Sequence, residues 1–249
     1  VAWVLPLVVR IERSAPPARV DALEAAGRAV LAMLTDPRGR PGAAWAQPLQ
    51  AWQDGRIGKV VRRARGAGWR RAEALGGLPL VHRTAQLRVY PPVPVDAWPP
   101  DLARLQVGGT DLADPDPADL AAAVAAPPAP AAGPRAAAAG PWAAAAGPLA
   151  GVPVIWLAPG LAMTAGKAMA QVGHAAQLGW WASPAPARAA WAGADFALVV
   201  RTAPAHRWAA LLAAGAPAVR DAGFTEIAPG SCTAVADLPW LRVGQRTEA

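Results

Sequence analysis

A chain of 249 residues and 25.4 kDa is long enough for two domains of about 100 residues each, and 54% hydrophobic content with 16% charged residues excludes global disorder. With 24 Lys/Arg against 17 Asp/Glu the net charge is +7, which favours a polyanion as partner, nucleic acid before an anionic membrane surface. No apolar stretch of about 18 residues lacks Gly, Pro or charge, so no membrane partner is expected.

The chain opens on a strand around Trp3-Val4-Leu5, without the basic start of a signal peptide, and a helix is expected from about Pro17 to Leu34. A looser Trp- and Ala-rich helix follows, then the strand Val60-Val61-Arg62, another helix, a short strand, a turn and a strand. From Asp111 to Gly151 the residues are almost all Ala, Pro, Gly and Asp, which reads as an extended linker. Beyond it, strands are expected at 153–158, 196–201, 218–220 and 232–236, with helices at 165–181, 185–192 and 204–214.

Two halves of this order match. Trp52, seven residues, Val60-Val61-Arg62 and then Trp69 recur as Trp191, Val199-Val200-Arg201 and Trp208, at an offset of 139. An offset of 138 then pairs Pro79 with Pro217, Val81 with Val219 and Pro91 with Pro229. The expected fold is therefore α/β, with two tandem copies of a small mixed sheet flanked by helices: residues 1–110, a linker 111–151, and 152–249. The charge divides as +8, −3 and +2 over residues 1–110, 111–150 and 151–249. Only Lys59 and Lys167 are lysines; the other cations are arginine, as a GC-rich coding bias would give.

Chemistry concentrates in the second copy. Thr164 is a plausible helix N-cap. Lys167, Gln171 and His174 then share one helical face, beside a bare strip of Gly166, Ala170 and Gly173 over which a phosphate-bearing ligand could approach the backbone. Close helix–sheet packing explains the same small residues equally well. In the run Arg220 to Ser231, Asp221 and Thr225 sit on tight turns before the last strand, suited to position a water or a ribose hydroxyl or simply to cap turns.

Together these segments resemble the type II peptidyl-tRNA hydrolases. The matching residues are Leu161-Ala162-Met163, Gly166-Lys167, Gln171, His174-Ala175, Val199-Val200-Arg201 and Asp221 to Ser231, within about residues 153–240. Ala158 and Gly160 depart from the charged pair that the family carries there. The resemblance implies hydrolysis of the ester between a nascent peptide and tRNA, with peptidyl-tRNA as partner and no metal or other cofactor. It assigns Lys167, His174 and Asp221 to catalysis, and Gly166, Gln171 and Thr225 to substrate binding. Members of the family commonly pair, so the two copies are expected to form an internal pseudo-dimer within a monomer, with a homodimer as the alternative.

Counted along the matched copies, Lys167, Gln171 and His174 correspond to Asp21, Ala25 and Arg28, and Asp221, Gly223 and Thr225 to Arg83, Ala85 and Leu87. The first copy thus lacks the catalytic set. It carries instead Arg56, Lys59, Arg62, Arg63, Arg65, Arg70 and Arg71 among Trp52 and Trp69, which, with Arg201, would suit RNA phosphates and bases. The rival reading is a non-catalytic tRNA- or RNA-binding protein that keeps the acceptor-end site. The lone Cys232 excludes an internal disulfide, no Cys/His cluster has zinc spacing, and a cytoplasmic location follows as the expectation.

Overall fold

The computed structural model describes residues 1–114, 151–221 and 227–242; Thr225 and most of the Ala/Pro/Gly stretch lie outside the described residues. The first unit runs β1 (Trp3–Arg10), α1 (Arg19–Thr35), α2 (Ala46–Gln53), β2 (Gly58–Ala64), α3 (Gly66–Ala74), β3 (Leu78–His82), β4 (Ala85–Val89), β5 (Val93–Pro94) and α4 (Pro100–Ala103). The second runs β6 (Val154–Leu157), α5 (Ala165–Ala182), α6 (Ala185–Gly193), β7 (Val199–Thr202), α7 (Ala205–Ala213), β8 (Ala218–Arg220) and β9 (Cys232–Asp237).

The two mixed sheets share one topology. Their orders are β2-β1-β4-β3 and β7-β6-β9-β8; in each, the first two strands are parallel and the other pairings antiparallel. β1 reads as a nearly unbroken apolar run because it is central and covered on both faces. Its Pro6 has no N–H to give, and here the antiparallel partner breaks: β4 pairs from Leu7 onward, β5 pairs with Trp3 and Val4, and between them Tyr90 N–H donates to the Pro6 carbonyl.

Two expectations need correction. Strand β7 starts at Val199 rather than 196, because Asp195 and Phe196 turn through left-handed backbone (φ 52° and 54°) to bury Phe196. The match of Pro91 with Pro229 also fails: β3 and β4 are joined by Arg83 and Thr84 alone, whereas residues 221–231 separate β8 from β9. The equivalence therefore ends at Arg83 and Asp221, each the first residue beyond its strand, and the first unit has no counterpart of the segment that follows.

The units meet through α1 and α5. Gly27 and Gly173 are each the ninth residue of their helix. A Cβ on Gly27 would lie 2.9 Å from Leu198 and 3.2 Å from Val172; on Gly173, 2.9 Å from Val30 and 3.2 Å from Lys59. One core cluster accordingly contains Leu23, Val30, Leu31 and Trp52 of the first unit with Met169, Val172, Trp191 and Leu198 of the second. Burying each such side chain is worth roughly 1.5–3 kcal/mol. The start of the expected linker belongs to this body as well. Leu112 is buried, the Ala113 carbonyl accepts from Arg19 N–H, and Asp114 Oδ1 accepts from Val20 N–H at 2.6 Å.

Candidate functional site

The site begins at the N-terminus of α5, which two threonines cap from different parts of the chain. Thr164 Oγ1 accepts from Lys167 N–H at 3.3 Å, and the buried Thr110 Oγ1 accepts from Gly166 N–H at 2.9 Å. A Cβ on Gly166 would stand 2.8 Å from that hydroxyl. Gly166, expected to bind substrate, is thus held by the first unit. The bare strip on α5 is filled by Thr110, Val30 and Lys59 rather than open to a phosphate, because α1 needs the close approach.

Strand β8 delivers Asp221 to the first turn of α5. Its N–H donates to the Ser231 carbonyl and its carbonyl accepts from Gly230 N–H, so the ends of the 221–231 segment close on one another. The carboxylate Oδ2 pairs with Lys167 Nζ and accepts from Gln171 Nε2 at 2.7 Å. Thr233 Oγ1 on β9 then donates to Gln171 Oε1 at 2.7 Å. The side chains of Lys167 and Asp221 are only 14% and 5% exposed, which makes this an enclosed network in which the amide fixes the carboxylate's orientation. Thr233, fully buried, is the member that sequence reasoning missed; a hydroxyl inside the otherwise apolar start of the last strand is its signal.

His174 is brought to a different set of partners. It shares the helical face of Lys167, but seven residues place it about 10 Å further along the axis. There its half-buried ring puts Nδ1 3.2 Å from Lys59 Nζ of the first unit. Burial, then the charges of Lys59 and Lys167, push the imidazole well below its ordinary pKa. Lys59 reaches this point from β2 and donates also to Gln177 Oε1 at 2.6 Å and the Ile57 carbonyl at 3.2 Å. Burial likewise pulls its pKa well below that of a free lysine. At 9% exposure it does not belong to an RNA-facing surface, contrary to expectation.

The remaining basic residues divide. Arg62 lies over the Trp98 ring and donates to the carbonyls of Ala103 and Leu105, while Arg63 holds the Gly108 carbonyl and Gln106; both pin the chain after α4. Trp52 and Trp69 are buried at 0% and 5% exposure, so neither ring can stack on a base. Arg56, Arg65, Arg70 and Arg71 are exposed, Arg71 beside Asp101. The exposed Arg201 lines a cleft of about 460 Å³ with Arg19, Trp156, Thr202 and Asp114, at the carboxyl ends of β6 and β7, where open α/β sheets take ligands. Lys167, Gln171 and Asp221 are not among its lining residues.

At the matching place in the first unit, Asp21, Glu24 and His82 converge with ligating atoms within 4.8 Å of one another. Arg83 stands 3.4 Å from Asp21 and 3.6 Å from Glu24, and Thr84 donates to Asp21 through N–H and hydroxyl. A guanidinium thus supplies the positive charge that these carboxylates require.

No protein-family model matches the chain, and no curated protein matches it.

Proposed function

We propose that the chain is a metal-independent peptidyl-tRNA hydrolase in which the second unit carries the chemistry and the first completes its surroundings, the two forming an internal pseudo-dimer. The observation that carries the reading is the enclosed Lys167–Asp221–Gln171–Thr233 network at the start of α5, in which Lys167, Gln171 and Asp221 are residues of the resemblance to the type II family.

Ester hydrolysis needs an oriented water and a positive group for the developing oxyanion. In this reading Asp221, fixed by Gln171, orients or activates the water. Lys167 has three donors, so it can keep its bond to Asp221 while offering another to the oxyanion or an adjacent phosphate. The cleft with Arg19, Trp156 and Arg201 is suited to the acceptor end of the RNA, since guanidinium groups contact phosphates and an indole can stack on an unpaired base.

The test is turnover of a model peptidyl-tRNA by the protein and by Lys167→Ala, Asp221→Ala and His174→Ala. Each is expected to lose roughly 100-fold or more in kcat/KM. Wild-type rates in all three would remove the assignment. Tight binding of tRNA without turnover would instead favour the non-catalytic RNA-binding protein.

A further inference from the structure

We propose that Lys59, contributed by the unit without the catalytic set, is a positioning residue for His174: it donates to Nδ1 and so holds the ring as the neutral Nε2–H tautomer, a donor towards substrate. The substrate in this statement rests on the proposed hydrolase reading; the Lys59–His174 bond does not.

The stem of Lys59 crosses α5 where Gly173 lacks a side chain, and its end meets three acceptors: the Ile57 carbonyl, Gln177 Oε1 and His174 Nδ1. An ammonium has three hydrogens and no lone pair, so these acceptors use it completely. The Trp52 ring, 4.8 Å from Nζ, presents its face to the same charge. A nitrogen that receives such a donor must offer a lone pair, which places the proton of a neutral imidazole on Nε2.

Packing does not require a lysine here. The pseudo-symmetric position over Gly27 is occupied by Leu198, and an aliphatic side chain fills that gap without any polar partner. At Gly173 the filling departs from an apolar side chain, and there it stands beside the histidine. The other charge that acts on the ring is that of Lys167. Lys167 lies on the same helix, while on α1 Glu24 is taken by His82 and Val200 N–H, and Arg28 lies 3.8 Å from Asp195. A histidine held this way donates a hydrogen bond to an oxyanion or ribose hydroxyl and leaves activation of water to Asp221.

Ring ¹⁵N–¹H correlation spectra of the full chain between pH 5.5 and 8.5 test the inference. The chain has three histidines, His82, His174 and His206, so His174→Gln assigns the signals. The wild-type ring is expected to stay neutral as Nε2–H across the range. In Lys59→Met its pKa should rise and both tautomers should be populated, and kcat should fall roughly tenfold or more with little change in KM, as for a misaligned group. An Nδ1–H tautomer in the wild type, or the same His174 titration in both proteins, would overturn it. If Lys59→Met does not fold, the wild-type tautomer alone decides. Expected spectra without peptidyl-tRNA turnover would uphold the bond and remove the hydrolase reading; turnover with identical spectra would do the reverse.

Discussion

Asp21 is the third residue of α1 and Lys167 the third of α5; Arg83 is the first residue beyond β3 and Asp221 the first beyond β8. Both units therefore tie the start of their long helix to the end of a strand by an ion pair, with the polarity reversed. Coulomb attraction is indifferent to that reversal, but ester chemistry is not: a carboxylate can orient water, and an ammonium at a helix N-terminus can meet an oxyanion. Stability and activity should separate accordingly. Lys167→Asp or Asp221→Arg alone leaves like charges facing in a nearly closed site and should cost about 3 kcal/mol or more in urea unfolding. The double variant should recover to within about 1 kcal/mol of the wild type, because Gln171 can flip its amide to face arginine while Thr233 accepts instead, yet it should show no turnover. A double variant as unstable as the worse single would show that the pair is more than scaffold. Part of this was legible. In a chain that uses arginine for nearly every cation, its only two lysines are Lys59 and Lys167, and both bond residues of the candidate site, Lys167 to Asp221 and Lys59 to His174. That is a sharper signal than total charge, and it was masked by reading Lys59 with its arginine neighbours.

At the scale of elements, α5 was legible at both ends because Thr164 caps its start and its small and apolar residues keep a helical period through to Ala182. What its bare strip faces was not, since a strip of Gly and Ala suits a ligand and a helix equally. The structure gives it to α1, which fits only because two glycines stand at the crossing. Gly173→Val would drive side-chain atoms into Val30 and the stem of Lys59, and should cost about 1–3 kcal/mol, read as a lower urea midpoint at unchanged slope. Gly193→Val, where a Cβ would meet nothing within 4 Å, is the matched control and should stay within about 0.5 kcal/mol. Valine is a better helix former than glycine, so a loss at Gly173 does not come from propensity, and equal losses in both variants would show that the crossing does not set the cost. The missing counterpart of residues 222–231 in the first unit was also beyond the sequence match. Pro91 and Pro229 fall at one offset, yet only strand pairing shows that the first follows β4 while the second precedes β9.

For the whole molecule, the repeat was readable because its tryptophans sit on helices α2, α3, α6 and α7 and its Val-Val-Arg runs on strands β2 and β7, which occur in the same order in both units. The seam was not, because its polar members are far apart in the chain: Lys59, His174 and Gln177 gain their relation only when α1 docks on α5. That seam makes stability depend on pH through His174. Its folded pKa lies well below the ordinary value, for burial first and then for the two lysines, while in the unfolded chain it titrates near 6.5. Below about pH 6.5 the unfolded chain therefore binds the proton that the folded ring refuses, and stability falls as pH drops, with a limiting slope of about 1.4 kcal/mol per pH unit. The carboxyl of Asp237 works in the same sense but in a lower window. Burial raises its pKa, but bonds from Trp156, Arg242 and Arg207 outweigh this and hold it below the ordinary carboxylate range, so its contribution is lost only as pH falls below about 4. Between pH 7 and 5, then, thermal unfolding of the wild type should shift to lower temperature. Lys59→Met removes one of the charges that keep the ring neutral, so its folded pKa rises towards the unfolded value and the shift should shrink. An equal shift in both proteins would place the acid sensitivity outside the seam.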